Sequence, residues 1–175
     1  MISVKQADKI VRAFAGKRIL VVGDLMLDRY VSGEANRISP EAPVPVVLVT
    51  DERVLPGGAA NVALNIQSLG GQAVVAGVVG KDRAADDLLS VLSKSKIRTD
   101  GVLSYDSMQT TVKTRVLADR QQIVRVDRED LLEPSSTVLK DLCKRIAGLI
   151  SEVDGVIIED YGKGVISQGV VDTIM

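Results

Sequence analysis

Arg18-Ile19-Leu20-Val21-Val22-Gly23 is a short apolar run rich in β-branched residues, and Asp24 follows it directly. Such a run fits a strand buried on both faces of a parallel sheet. Asp24 then stands past the carboxyl end of that strand, where open α/β sheets bind ligands. Outward from this stretch the chain keeps alternating. Gly58 to Leu69 reads as a helix ended by Gly70-Gly71, and Ala73 to Val79 as a strand ending at Gly80. Asp82 caps a helix over Arg83 to Lys94, with Leu88, Leu89, Val91 and Leu92 inward. Ser135 or Ser136 caps a helix to Ile150, with an apolar stripe of Val138, Leu139, Leu142, Ile146 and Leu149. Asp154 to Glu159 reads as another buried strand, with Gly162 and Gly164 in the turn after it. Strands alternating with helices imply βαβ units, right-handed crossovers and an α/β, doubly wound parallel sheet.

Two regions depart from this rhythm. Asp28 to Thr50 alternates loosely and is broken by Pro40, Pro43 and Pro45. Short strands are expected near Arg29–Ser32 and Val46–Thr50, joined by an irregular loop, since proline suits edge strands. Thr111–Ala118 and Gln121–Asp127 form a hairpin around Asp119-Arg120. Its alternation puts Val112, Thr114, Val116 and Ala118 on one face and Lys113, Arg115 and Leu117 on the other. At the start, Val4 to Phe14 reads as an amphipathic helix with Val4, Ala7, Ile10, Val11 and Phe14 on one face. At the end, Ser167 caps a helix through Val170, Val171 and Ile174, and the sequence stops at Met175 without a polar tail. A short helix with no strand after it reads as a chain cut within a domain; a natural helical terminus is the alternative.

Composition narrows the chemistry. The 175 residues suit one domain of ordinary size. A net charge of −1 argues against a broad electrostatic grip on nucleic acid. The absence of histidine excludes histidine bases, Ser-His-Asp triads and histidine metal sites. A single cysteine, Cys143, excludes an intrachain disulfide and a cysteine zinc cluster, and its apolar helical setting reads as structural. Met1 to Lys17 lacks the unbroken apolar core of a signal peptide, and no run of about eighteen apolar residues suggests a membrane span. A cytoplasmic protein is the expectation.

Three groups of residues carry possible chemistry. In Pro56-Gly57-Gly58-Ala59-Ala60-Asn61 the glycine pair at a helix start lets a ligand approach the backbone, and free N–H groups of the first turn donate to ligand oxygens. Asn61 can donate and accept, which suits sugar hydroxyls. A tight turn needing glycine explains the pair equally well. Asp24 is either an acceptor for a polyol or a cap on the local turn. Asp160 stands in the equivalent place after the later strand, with Lys163 beyond it. Together they would orient a hydroxyl and hold a phosphate, or form an exposed ion pair of little worth. The third group, Lys113, Arg115, Arg120, Arg125 and Arg128, is either a phosphate clamp or a solvated charged hairpin, given Asp119, Asp127, Glu129 and Asp130 among them. No GxGxxG follows Val22, and Gly162-Lys163-Gly164 lacks the hydroxyl residue of a Walker A loop. A dinucleotide-dependent dehydrogenase is therefore disfavoured.

Taken together, these residues resemble the ribokinase/PfkB family of carbohydrate kinases. Gly57-Gly58-Ala59-Ala60-Asn61-Val62-Ala63 through Gly70 to Gly80 looks like the family's first signature, and Asp24 like its sugar-hydroxyl ligand. Val21 to Tyr30, Arg37 to Val46, Gln121 to Asp127 and Asp160-Tyr161-Gly162-Lys163-Gly164 resemble the D-glycero-D-manno-heptose 7-phosphate kinases within that family. The resemblance implies transfer of phosphate from ATP with Mg2+ to the anomeric oxygen of heptose 7-phosphate, on the way to ADP-heptose and the lipopolysaccharide core. It implies one domain portion over residues 1–175, with a small β lid formed by segments near 29–50 and 111–127 that closes over the sugar and pairs two subunits as a homodimer. Asp24, Gly57, Gly58, Asn61 and Asp160 would hold the sugar, and Arg115, Arg125 or Lys163 its phosphate. The family's catalytic aspartate and most of its ATP pocket have no counterpart up to residue 175, so no catalytic residue is expected here. Rival readings are another ribokinase-like sugar or sugar-phosphate kinase, or a catalytically silent sugar-phosphate binding fragment.

Overall fold

A computed structural model of the chain describes residues 2–119, 121–130 and 133–175. The elements run α1 (Val4–Arg12), β1 (Arg18–Gly23), β2 (Leu25–Ile38), β3 (Pro45–Gly58), α2 (Ala59–Ser68), β4 (Gln72–Gly80), α3 (Arg83–Lys94) and β5 (Arg98–Tyr105). After them come β6 (Thr111–Ala118), β7 (Gln121–Arg128), α4 (Ser136–Leu149), β8 (Gly155–Glu159) and α5 (Gln168–Ile174).

The body is a four-stranded sheet in the order β5-β4-β1-β8, with every pair parallel. Both faces are covered, as the β-branched runs require. On one face Val21, Ala73, Val75 and Val79 pack with Ala59, Ala60 and Ala63 of α2 and Ala85, Leu88 and Leu92 of α3. On the other, Leu20, Val22, Val74 and Ala76 pack with Val138, Leu142 and Ile146 of α4 and Val170 of α5. Each such buried Val, Leu or Ile side chain contributes about 1.5–3 kcal/mol of transfer free energy. The fold is thus α/β with an all-parallel body sheet.

Local signals set the helix starts. The carboxylate of Asp82 accepts the Ala85 N–H at 2.9 Å, Ser135 Oγ accepts from Val138 and Ser167 Oγ accepts from Val170. Helix α1 also has its capping box, with the Ser3 hydroxyl accepting from the Gln6 backbone and the Gln6 side chain accepting from Ser3. Its expected apolar face stays uncovered: Val4 is 86% exposed, and no residue of α1 is buried.

Two expectations need correction, and one strand had not been foreseen. The strands expected near Arg29–Ser32 and Val46–Thr50 are two 14-residue strands, β2 and β3, paired antiparallel from Leu25↔Gly58 out to Ile38↔Pro45. The prolines lie at the outer turn and on β3, an edge strand whose free side needs no ladder donor. Strand β5 has no expected counterpart, because Arg98, Asp100 and Gly101 interrupt its apolar pattern. Strand β8 is not buried: it forms the sheet edge, with Ile157 and Ile158 each more than a third exposed.

Strands β2 and β3 belong to a second sheet in the order β3-β2-β6-β7. Strand β2 pairs parallel with β6, and β6 pairs antiparallel with β7. The hairpin turn places Asp119 at φ +51°, while Arg120 lies outside the described residues. Only the base of this sheet joins the body core, through Leu25, Leu27 and Val112. Asp24 is the single residue between β1 and β2, so the chain leaves the body for the second sheet at that carboxylate.

Candidate functional site

Asp24 is 2% exposed, and its two carboxylate oxygens behave differently. Oδ2 accepts the backbone N–H of Tyr161 at 2.7 Å and of Lys163 at 3.2 Å. These donors come from the turn after β8, which lies beside β1 in the sheet. Oδ1 is buried and has no hydrogen-bond partner. The turn-cap reading of Asp24 is thus seen at Oδ2, while Oδ1 stays an unsatisfied acceptor. An unpaired buried acceptor costs about 1–3 kcal/mol, which a donating ligand hydroxyl recovers.

The glycine pair closes over this carboxylate. The Ala59 N–H donates to the Asp24 carbonyl at 3.0 Å. Gly58 has φ +54°, and a Cβ there would overlap that carbonyl oxygen. A Cβ at Gly57 would come within 3.1 Å of Asp28 Oδ2. Backbone packing thus demands glycine at 58, a Cβ at 57 would crowd the Met26 and Asp28 side chains, and the start of α2 is left beside Asp24. Asn61 sits in the first turn of α2 with an exposed side chain.

The basic residues divide. Lys163 is brought to the site: it lines a cavity of about 30 Å³ together with Asp24, Gln109, Thr111 and Asp130. Its Nζ is 2.7 Å from Glu129 Oε2. Arg115 is placed by register opposite Tyr30, and its guanidinium lies 5.3 Å from that ring centre. It donates to Asp28 Oδ1 at 2.6 Å. The hydrogen bond to Asp28 holds Arg115 above its ordinary pKa, so the side chain is a fixed cation. Arg125 pairs with Arg115 across the hairpin, which joins it to that face, but it is half exposed and forks onto Asp127 at 2.9 and 3.1 Å. Lys113 also contacts Asp127, and this hydrogen bond, followed by that of Arg125, keeps the carboxyl below its usual range. Arg115, Arg125, Lys113 and Lys163 thus each carry a carboxylate partner.

Asp160 is not paired with Lys163. Its Oδ1 accepts the Gly162 N–H at 2.8 Å, an Asx turn on an exposed loop. Tyr161 follows it, and burial first, then the charge of Glu159, pushes its phenol up. Two site residues escape sequence reasoning as members of the site: Asp28, the partner of Arg115, and Glu129, the partner of Lys163. The alternation of β2 put Asp28 on the face of Met26 and Tyr30, which was a usable signal; Glu129 has none, because it follows β7 in irregular backbone.

This geometry is a carboxylate with one open oxygen, a glycine-bracketed helix start and a half-buried lysine around one cleft. It suits a hydroxylated ligand carrying a negative charge. A family model described as pfkB family carbohydrate kinase matches residues 17–158. The chain belongs to the pfkB family of carbohydrate kinases. Among its pfkB relatives, the bifunctional protein HldE of Gluconobacter oxydans is 46% identical over 159 residues, covering 90% of this chain and 33% of that protein. HldE of Pseudomonas aeruginosa is 48% identical over 150 residues, covering 86% of this chain and 31% of the relative. The chain therefore spans about a third of the length of the curated relatives it matches. Among solved pfkB-like structures, Arabidopsis thaliana ribokinase complexed with ribose and ATP superposes with a TM-score of 0.59 at 17% identity, over 91% of this chain and 50% of that one. At that identity the likeness shows the fold.

Among the described residues, no group of three or more His, Cys, Asp or Glu side chains is arranged to hold a metal ion. No described helix is long and apolar enough to cross a membrane.

Proposed function

We propose that these residues form the sugar-holding part of a cytoplasmic kinase that transfers the γ-phosphate of ATP to the anomeric oxygen of D-glycero-D-manno-heptose 7-phosphate, towards ADP-heptose and the lipopolysaccharide core. The observation that carries this reading is the buried, unpartnered Asp24 Oδ1 beside the Gly57-Gly58 turn. A sugar hydroxyl donates to Oδ1. Asn61 and the free N–H groups of the first turn of α2 take neighbouring hydroxyl oxygens. Lys163 holds the 7-phosphate, with Arg115 as the second cation on the facing strand. Binding energy from that remote phosphate orients the anomeric end. The substrate choice is supported by the family and by HldE relatives at 43–48% identity.

In the transfer, the anomeric oxygen bonds to the γ-phosphorus as the bond from that phosphorus to the β–γ bridging oxygen breaks, and ADP leaves. The hydroxyl proton goes to a base that we do not assign among these residues. Mg2+ bound with ATP would neutralise phosphate charge, but the described carboxylates do not form a site for it, so no step here depends on it. The part of this chain is positioning, which is most of what phosphoryl transfer asks of a protein. The second sheet acts as a lid that excludes water from the sugar. Exposed Leu48 of β3 and Val124 of β7, on its two edge strands, offer apolar contacts to the lid of a second subunit in a homodimer.

The test is ADP release by the full-length protein with Mg-ATP and heptose 7-phosphate, run beside fructose 6-phosphate. Turnover of the heptose and not of the fructose ester is expected. The reverse preference overturns the substrate. Heptose phosphate binding without ADP release would make the protein a silent binding module.

A further inference from the structure

Asp28 and Arg29 are successive residues of β2 and so lie on opposite faces of the second sheet. The Asp28 face carries Arg115. The Arg29 face closes a separate cavity of about 240 Å³ against the start of α3. Its sheet wall is set by register: Arg29 opposite Thr114, Thr114 opposite Val126, and Val112 opposite Arg128. Its body wall is Asp82, Arg83, Ala84, Gln109 and Thr110.

We propose that this cavity is a second anion site, which takes a phosphate dianion, either free or as the monoester of a small metabolite. Three arginines line it. Among the described residues neither Arg83 nor Arg128 has a carboxylate within ion-pair distance. That sets them apart from the cations of the Asp24 cleft. Arg29 is itself ion-paired, with Nε 3.4 Å from Glu52 and Nη2 3.5 Å from Asp87, and it supplies the third guanidinium of the wall. A guanidinium without a carboxylate partner, as at Arg83 and Arg128, leaves its N–H fork to the oxygens of an anion. Asp82 is the one carboxylate in the wall. Its Oδ1 accepts from Ala85 and its Oδ2 from Thr110, at 2.9 and 2.8 Å, so both oxygens are engaged by the backbone. Guanidinium forks match the oxygens of a phosphate, and Ala84, Val112 and Val126 complete a wall that the carbon part of a monoester can contact. A bound phosphate would tie Arg29 and Arg128 of the second sheet to Arg83 of the body, and so bias how the two move.

The test is calorimetric titration of the full-length protein, carrying Lys163→Gln to disable the cleft, with inorganic phosphate and separately with glycerol 3-phosphate. Saturable binding is expected, and Arg83→Gln with Arg128→Gln weakens it at least about tenfold. Tighter binding of the ester assigns the site to an organic phosphate, and equal binding assigns it to the free ion. Both arginines are exposed, so the variants keep the wild-type melting temperature and far-ultraviolet dichroism. Absence of saturable binding in the Lys163→Gln protein, or binding indifferent to Arg83→Gln and Arg128→Gln, overturns the proposal.

Discussion

The two sheets meet at Asp24 and are stabilised in different ways. In the body, Leu20, Val21, Val22, Val74, Val75 and Ala76 are at most 1% exposed, and the central strands β1 and β4 carry one charged residue, Arg18. In the second sheet, every residue of β7 is exposed, and the side chains of its inner face are held by ion pairs such as Arg115–Asp28 and Lys113–Asp127. The body is held by area removed from water, the second sheet by backbone ladders and charge. Local opening should therefore cost less in the second sheet than in the body.

The strongest challenge to that contrast is a pair of truncations. Leu142→Ala, fully buried under the body sheet, should cost about 2–5 kcal/mol in urea unfolding. Val126→Ala, 55% exposed on β7, should stay within about 0.5 kcal/mol. Similar losses at both positions would erase the distinction.

Next in size is Asp24→Asn at the junction. The amide oxygen can keep the Tyr161 and Lys163 donors, so the fold persists, while the acceptor for a sugar hydroxyl is lost. Affinity for heptose 7-phosphate, followed by calorimetry, should fall by about 1.5–3 kcal/mol. Unchanged affinity would leave Asp24 as a turn cap alone.

Asp82→Ala tests the seam between the sheets, since Asp82 caps α3 and also binds Thr110 at the start of β6. Its burial raises the pKa, but the N–H donors of Thr110 and Ala85 outweigh this and hold the carboxyl below 3.8. The stability it supplies is thus present above that value and lost as the pH falls through the lowered one. The variant should be less stable by about 0.5–2 kcal/mol at pH 7, and the gap should start to narrow below about pH 4 and close as the pH falls through the lowered pKa. A gap that is constant with pH would show that the charge contributes nothing.

The smallest effect belongs to Arg125→Gln. This half-exposed pair with Asp127 should change stability by less than about 1 kcal/mol, and the change should vanish in molar salt. A larger, salt-resistant loss would mean that the second sheet depends on this pair more than its exposure implies.

Much of this was legible beforehand. Arg18–Gly23, Arg83–Lys94 and Thr111–Ala118 are found as expected from their residues, and Asp82 caps α3 as expected. Periodicity, caps and turns are local: each depends on neighbours within a turn of helix or a strand pleat, so the order of residues carries them. The sequence also named Asp24, the glycine pair and Lys163 as candidates. Other features rest on contacts between residues far apart in the chain. Asp24 meets the Tyr161 N–H across 137 positions, and Arg115 meets Asp28 across 87. Whether β2 stops at Ser32 or continues to Ile38 depends on the partner strand opposite it, and whether β8 is central or at the edge depends on what lies beside it. Strand register and burial decide those contacts, and they exist only once distant segments have paired. Local order therefore determines which residues are offered to the site, and tertiary pairing decides which oxygen of Asp24 is left open to a ligand.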